Sequence, residues 1–520
     1  MTSCARDADH GFLHDEYEVL RGLNAGQRVT GHGHNIGIFS RLQRSGLIGA
    51  RESMTTIARS ATWKDLWSSG LLGRFLLLCM GVWLHAADML VTATITPSIV
   101  DEIGGVAYVS WTISLYQVGA IIAGAASAML CQRASLKRVL KAAGLLYGMG
   151  CVIAALAPNM AVLLAGRFIQ GLGGGMLLSL CYLAIQQWFA PNLWSRLFGI
   201  NAFIWGAGSL LGPLIGGVFA NLHAWRGAFW LFALQAGALW ALAALLLPSE
   251  PPPRPAAKEW PWLPLLILLV ATLIIAQSGV TGQSALSIAG CLSGAGLLYA
   301  AARLDRRSRT RLLPVQLLDF RDPVGAGLLM VFTLSVATTG FWAYGPLILK
   351  ILFGTNPLFS GYVLAAQALA WSLATLAVSA APLSADKLLI RGGAGLVALG
   401  AAAFALAVPA GSLTGIMVCA LLQGLGFGLF WPAIVHRLVR VSHAGEQALA
   451  AASPSTIQRI GYAVGTAAAG IVANSSGLAE GISFSAARVA AFWVFAAFIP
   501  VLVIAVLCAW KFTEGSAAPT

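Results

Sequence analysis

The chain has 520 residues, 58% of them hydrophobic and only 10% charged, with a mean hydropathy of +0.80. A soluble domain carries about 25% charged residues, so this composition cannot cover a water-facing surface and excludes an ordinary globular enzyme or binding domain. The net charge of +13 does not mark a nucleic-acid partner, because the basic residues gather in short loops between apolar runs, as membrane proteins place them.

Residues 1–70 are polar and mixed in charge, include His10, His14, His32 and His34, and lack an apolar core of signal-peptide length. They read as a disordered cytoplasmic extension, unless Met54 is the true start. Beyond them, apolar runs recur that are long enough to cross a hydrocarbon core of roughly 30 Å. In lipid such runs must be helices, since every backbone polar group needs an internal partner. Fourteen spans are predicted, beginning near Gly73, Ala107, Val139, Ala161, Leu197, Gly227, Leu263, Ala285, Ala326, Ser360, Gly392, Leu413, Ser455 and Arg488.

Basic residues follow every second span. Arg133, Lys137 and Arg138 come after span 2, Arg196 after span 4, and Arg303, Arg306, Arg307, Arg309, Arg311 and Arg321 after span 8. Lys387 and Arg391 follow span 10, and Arg437 and Arg440 follow span 12. The opposite loops hold little besides Asp101, Glu102, Arg226, Lys350 and Glu480. This alternation puts both termini in the cytoplasm and makes the span count even. The expected location is the cytoplasmic (inner) membrane, crossed many times.

An internal repeat organises the spans. The stretch Gln170-Gly-Leu-Gly-Gly-Gly175 in span 4 recurs as Gln423-Gly-Leu-Gly-Phe-Gly428 in span 12. Gly208, Gly212 and Gly216 in span 5 are echoed by Gly461, Gly465 and Gly470 in span 13. If spans 9–14 repeat spans 1–6, spans 7 and 8 are an insertion, and two six-helix halves around a central site are the architecture of a secondary transporter. The expected fold is an all-α polytopic membrane protein of two six-helix halves plus two inserted central helices. Its divisions are the extension 1–70, a six-helix bundle over 71–248, the inserted helices 7–8 with flanking cytoplasmic loops over 249–322, a second six-helix bundle over 323–512, and a tail over 513–520.

The glycines of span 4 are not a phosphate loop, which needs a strand, a turn and a helix start facing water. Here they lie mid-span and mark close helix packing, either a fixed seam or one that moves. Arg167 lies in the same run, and a charge at mid-membrane costs about 2.5–3.5 kcal/mol unless it finds a partner or a water-filled cavity. Asp88 in span 1 is the prominent acid at comparable depth, with His85 one turn earlier. A carboxylate beside an arginine stays ionised and takes up a proton more readily when the arginine withdraws. Asp88 and Arg167 are therefore the candidate proton-coupling pair, the alternative being a fixed ion pair that sets helix register. His85 reads as a wall residue more than as a relay. The eight cysteines are scattered, with no CxxC and no His/Cys cluster at metal spacing, so no metal, cofactor or disulfide is expected.

These residues resemble the major facilitator superfamily, and within it the fourteen-span drug:proton antiporter group. The run "LLAGRFIQGLGGG" is similar to the family's span-4 arginine motif at Arg167, Gln170, Gly171 and Gly173. "GSLLGPLIGG" matches the antiporter motif with Gly208, Gly212, Pro213, Gly216 and Gly217, and Trp225-Arg226 follows where the family has a WRW-like turn. In span 1, Asp88 and Pro97 keep the group's spacing, with Leu90 and Ala93 in place of its threonine and asparagine. The loop after span 2, "SAMLCQRASLKR", departs from the pattern. Ser127 and Cys131 replace the expected glycine and aspartate, while Arg133, Lys137 and Arg138 survive. Its second-half counterpart retains Asp386, Lys387 and Arg391.

The resemblance implies gating by these loops and a cavity lined by spans 1, 4, 9 and 12. Its polar and aromatic residues would be Gln170, Thr338, Thr339, Trp342, Tyr344, Gln423 and Trp431, joined by Asn201 and Trp205 of span 5 and Gln367 and Trp371 of span 10. Several of the 17 tryptophans lie mid-span rather than at the interface, which suits a planar aromatic ligand or plain packing. The expected function is proton-coupled efflux of small amphipathic or aromatic molecules by a monomer in the lipid bilayer. The alternative is import of one heteroaromatic nutrient such as riboflavin, which the damaged span-2 loop favours. An intramembrane enzyme would need a nucleophile–base or metal set at one depth, and no HExxH, GxSxG or clustered carboxylates occur. A sensor would need an added signalling domain.

Overall fold

The structure, a computed structural model, describes residues 71–514 except 190, 249–261, 281–283, 309, 310, 312, 380, 444, 445, 481 and 482. The extension 1–70, most of the connection ahead of span 7 and the last six residues of the tail lie outside the described residues. Among those described there are fifteen α-helices and no strand. They are α1 (Leu72–Ile103), α2 (Val109–Arg133), α3 (Leu136–Ala155), α4 (Met160–Trp188), α5 (Pro191–Asn221), α6 (Trp225–Leu246), α7 (Trp262–Ser278) and α8 (Ser284–Arg307), then α9 (Pro323–Phe353), α10 (Pro357–Val378), α11 (Asp386–Ala407), α12 (Leu413–Val441), α13 (Gln447–Ser475), α14 (Phe484–Ala496) and α15 (Ile499–Glu514). The expected spans 1–13 correspond to α1–α13 in order, and span 14 is broken into α14 and α15 at Ala497–Phe498.

Twelve described stretches are long and apolar enough to cross a membrane, α14 and α15 counting as one. The apolar α7 has 17 residues, and α13 is not among the twelve. Many helices start at a side chain that accepts an otherwise orphaned backbone N–H. Asn159 accepts from Val162 at 3.1 Å, Asp322 from Val324 at 2.7 Å, Asn356 from Leu358 at 2.9 Å, and Ser412 from Gly415 at 3.1 Å. Pro323 and Pro357 follow two of these caps, in the first turn where a missing N–H costs nothing. Gly354, left-handed at φ +60, ends α9.

The two halves pack by the same contacts. On α4, Gly171 lies on the Tyr116 backbone and Gly175 on that of Ala120, both in α2, so any Cβ there would overlap main chain. On α12, Gly424 and Gly428 lie in the same way on Gln367 and Trp371 of α10. The seams of α5 and α13 also correspond. Gly208, Gly212 and Gly216 face Ala86, Leu90 and Thr94 of α1, while Gly461 and Gly465 face Ser335 and Val336 of α9. The last member departs, because Gly470 faces Ser110 of α2, across the halves.

The arginine-rich ends of α2, α8 and α12 lie on one side of the bundle and the Asp101–Lys350 end on the other. Near that second side the halves are joined. Lys350 pairs with Asp101, Asn474 Nδ2 donates to the Ala107 carbonyl at 2.8 Å, and Ser114 Oγ donates to the Ala463 carbonyl at 3.2 Å. There too Gly217 of α5 meets Leu358 of α10, and Gly361 meets Pro213. The inserted α7 leans on α2 and α13, with Trp111 Nε1 donating to the Ala276 carbonyl at 3.2 Å and Asn474 Nδ2 to that of Gly279 at 2.9 Å. Its neighbour α8 is mostly exposed, with Leu286, Ile288 and Leu292 facing outward, as a lipid-facing helix must be.

Candidate functional site: a buried ion pair beside a central cavity

Asp88 and Arg167 meet. Asp88 is 0% exposed and Arg167 1%, and Arg167 Nη1 donates to Asp88 Oδ1 at 2.9 Å and to Oδ2 at 2.8 Å. Gln170, expected in the cavity wall, is fully buried between them. Its Oε1 accepts from Arg167 Nη1 at 2.7 Å and its Nε2 donates to Asp88 Oδ1 at 2.7 Å. The spacing explains this, because residues three apart on a helix share a face and both therefore turn toward α1. Arg167 Nε donates to the Thr112 carbonyl at 3.2 Å, and its guanidinium stacks 4.5 Å over the Tyr116 ring. Each charge is thus compensated several times over, as a pair held out of water requires.

Tyr116 extends the network. Its hydroxyl lies 2.8 Å from His85 Nδ1, and the Trp205 ring stands edge-on to His85 at 5.7 Å. Asn201 is buried, with its Nδ2 3.3 Å from Cys181 Sγ and its Oδ1 unpartnered. A second polar chain occupies the other half. Trp342 Nε1 donates to Gln367 Oε1 at 2.9 Å, Gln367 Nε2 donates to Gln423 Oε1 at 2.8 Å, and Trp342 stacks on Tyr462. By their contacts Gln367 and Gln423 are the counterparts of Tyr116 and Gln170, so the second half keeps the polar bridge with no charge in it. Trp371 stacks on Phe427 at 4.8 Å and tilts against Trp431. Thr338 and Thr339 bond to their own helix, and Tyr344 is fully buried.

A cavity of about 860 Å³ opens between the halves on the arginine-rich side of this network. Ala120 and Gly124 of α2, Ser179 and Tyr182 of α4, Phe332 of α9 and Arg459 of α13 line it, with α7 and α8 closing one flank. None of the eleven residues expected in the substrate cavity borders this one. Tyr116 and Arg459 were not singled out in the sequence. Arg459 was legible as a charge, but with span 13 beginning near Ser455 it reads as an interfacial residue. The helix starts at Gln447, which sets Arg459 about 18 Å along it.

The expected gating residues fall at the helix ends. Asp386, buried at the start of α11, accepts from Arg440 Nη2 at 2.5 Å. Arg391 Nε donates to Thr513 Oγ1 at 2.6 Å and its guanidinium covers the Trp510 ring. In the first half Arg133 is exposed at the last turn of α2, and buried Cys131 holds the place of the missing acid. Gly173 packs on the Tyr147 backbone.

The chain matches the family model described as Major Facilitator Superfamily over residues 77–413. It is 31% identical over 457 residues to a probable multidrug-efflux transporter of Mycobacterium tuberculosis, covering 83% of this chain and 93% of the relative. It is 26% identical to an uncharacterized transporter of Escherichia coli, over 78% of this chain and 90% of that one. Among solved structures a D-xylose–proton symporter superposes with a TM-score of 0.61 at 18% identity, over 86% of this chain and 100% of the other. With paired halves, matching glycine seams and a cavity between them, these likenesses have one meaning: the chain is a multi-pass membrane transporter of the Major Facilitator Superfamily, and not an enzyme.

Proposed function

We propose that this transporter exports small amphipathic or aromatic molecules across the cytoplasmic membrane in exchange for protons, with Asp88 as the proton carrier and Arg167 as its switch. The observation behind this reading is the sealed Asp88–Arg167–Gln170 network beside the cavity. While Arg167 holds it, Asp88 stays a carboxylate; a movement of α4 against α1 frees it to take a proton. The efflux direction draws on the probable multidrug-efflux relative. The arginine-rich side is the cytoplasmic one by the positive-inside rule, so both termini lie in the cytoplasm and the cavity opens inward. One chain suffices, because both walls come from the same two halves.

Import of a single heteroaromatic nutrient is the second reading, and the missing acid at Cys131 favours it. Accumulation of a cationic dye, a zwitterionic aromatic dye and riboflavin, in cells with and without the protein, separates the two. Efflux predicts lowered dye that recovers when the proton gradient is collapsed. Import predicts a rise in riboflavin alone. With Asp88→Asn, gradient-driven transport should fall at least tenfold while inserted protein is still recovered, and Asp88→Glu should restore part of it. Undiminished gradient-driven transport by Asp88→Asn would remove Asp88 from the coupling role.

A further inference from the structure

Arg459 contrasts with Arg167. Both lie deep in helices, yet Arg167 has a carboxylate, an amide, a carbonyl and a tyrosine ring around it. Among the described residues no carboxylate lies within ion-pairing distance of Arg459, and no hydrogen bond or ring contact of its guanidinium is found. A charge kept at such depth is expensive unless water or a ligand reaches it, and Arg459 is partly exposed on the cavity wall. Asp305 is the one acid among the described lining residues. It sits two residues from the end of α8, near the arginine-rich surface, and accepts from the Leu313 N–H at 3.0 Å. Arg459 lies about 18 Å along α13 from that surface, so among the described residues the deep end of the cavity has a cation and no anion.

The surroundings define what would settle there. Tyr182 is 41% exposed onto the cavity, and Ala120, Leu178 and Phe332 supply an apolar wall. Tyr116, Tyr182 and His85 lie within electrostatic reach of Arg459. We propose that Arg459 anchors an anionic group of the cargo, so that the transported molecules are amphipathic organic anions or zwitterions with an aromatic or apolar body and a carboxylate-like head. A guanidinium suits that head, since its fork can donate two parallel hydrogen bonds to a carboxylate or sulfonate. Tyr116 stacks under Arg167 and lies within electrostatic reach of Arg459. This rests on the transporter reading above and narrows its substrate class.

The test is binding to the purified full-length chain in detergent, read as a shift in melting temperature and by titration. The probes are naphthalene-2-carboxylate and naphthalene-2-sulfonate, their uncharged amides, and 2-naphthylmethylamine. The proposal predicts that the two acids stabilise the protein while the amides and the amine do not. Affinity for the acids should fall about tenfold or more in Arg459→Gln and be partly retained in Arg459→Lys, which keeps the charge and guards against a variant that merely misfolds. Equal response to amides and acids, no response to either acid, or undiminished acid binding by Arg459→Gln would overturn it. So would stabilisation by phosphatidylglycerol with none by the acids, which would make Arg459 a lipid contact. Binding does not depend on a proton gradient, so failure of Asp88 coupling and failure of this assignment are read separately.

Discussion

At the scale of single residues, the burial of Asp88 and Arg167 sets the energetics of the site. Removing one partner of such a pair leaves an uncompensated charge and costs about 3–5 kcal/mol, whereas removing both can be nearly neutral. Arg167→Gln should therefore lower the melting temperature of the detergent-solubilised protein strongly, and Asp88→Asn combined with Arg167→Gln should recover most of the loss while transport stays abolished. A double variant no more stable than Arg167→Gln alone would argue against the compensation described here. The pair was legible because an acid and an arginine in apolar runs stand out against their neighbours. Gln170 was legible as a polar residue but not as the bridge, because its partners lie on two helices. Tyr116 gave no signal at all: a tyrosine in an apolar helix looks the same whether it packs or bonds.

At the scale of helices, glycines separate into contacts that admit no side chain and positions that do. Gly171→Val and Gly424→Val would drive a side chain into the backbone of α2 or α10, and both are expected to abolish recovery of folded protein. Gly237→Ala, in α6 with open space around it, should be tolerated or slightly stabilising, by about 0.5–1 kcal/mol from helix propensity alone. Comparing the three by size-exclusion profile and melting temperature checks the assignment. Helix existence was plain in the apolar runs, and two boundaries were not. The start of α13, with Ser453, Pro454 and Ser455, reads as a loop, yet Pro454 is inside the helix and the true start is earlier. The break between α14 and α15 has no glycine or charge to announce it, apart from Pro500 in the first turn of α15.

At the scale of the whole molecule, the halves meet on the side away from the arginines and part around the cavity, one of the two arrangements that alternating access requires. An ideal Cβ on Gly217 would lie 3.1 Å from that of Leu358, close to the separation of about 3.5–4.5 Å found in disulfides. Gly217→Cys with Leu358→Cys, in a background with the native cysteines replaced, should crosslink on oxidation and stop transport, and reduction should restore it. Transport that persists in the fully crosslinked protein would show that this contact need not open. The repeat was legible because the same close approaches impose the same glycines on both halves. The state of the gate was not, since one sequence must serve both arrangements.

The polarity of α13 reaches beyond transport, to how the chain is made. With Arg459, Gln458 and a run of serines and threonines, α13 is absent from the stretches apolar enough to cross a membrane, and an arginine near the centre of a segment opposes release into lipid by about 2.5–3.5 kcal/mol. The segment that follows it, Phe484–Glu514, is the most apolar of the twelve described stretches. Biogenesis must therefore hold α13 in or beside the translocon until α2, α7 and α9 can receive it and the next span has entered, making Phe484–Glu514 the anchor that commits the second half to its topology.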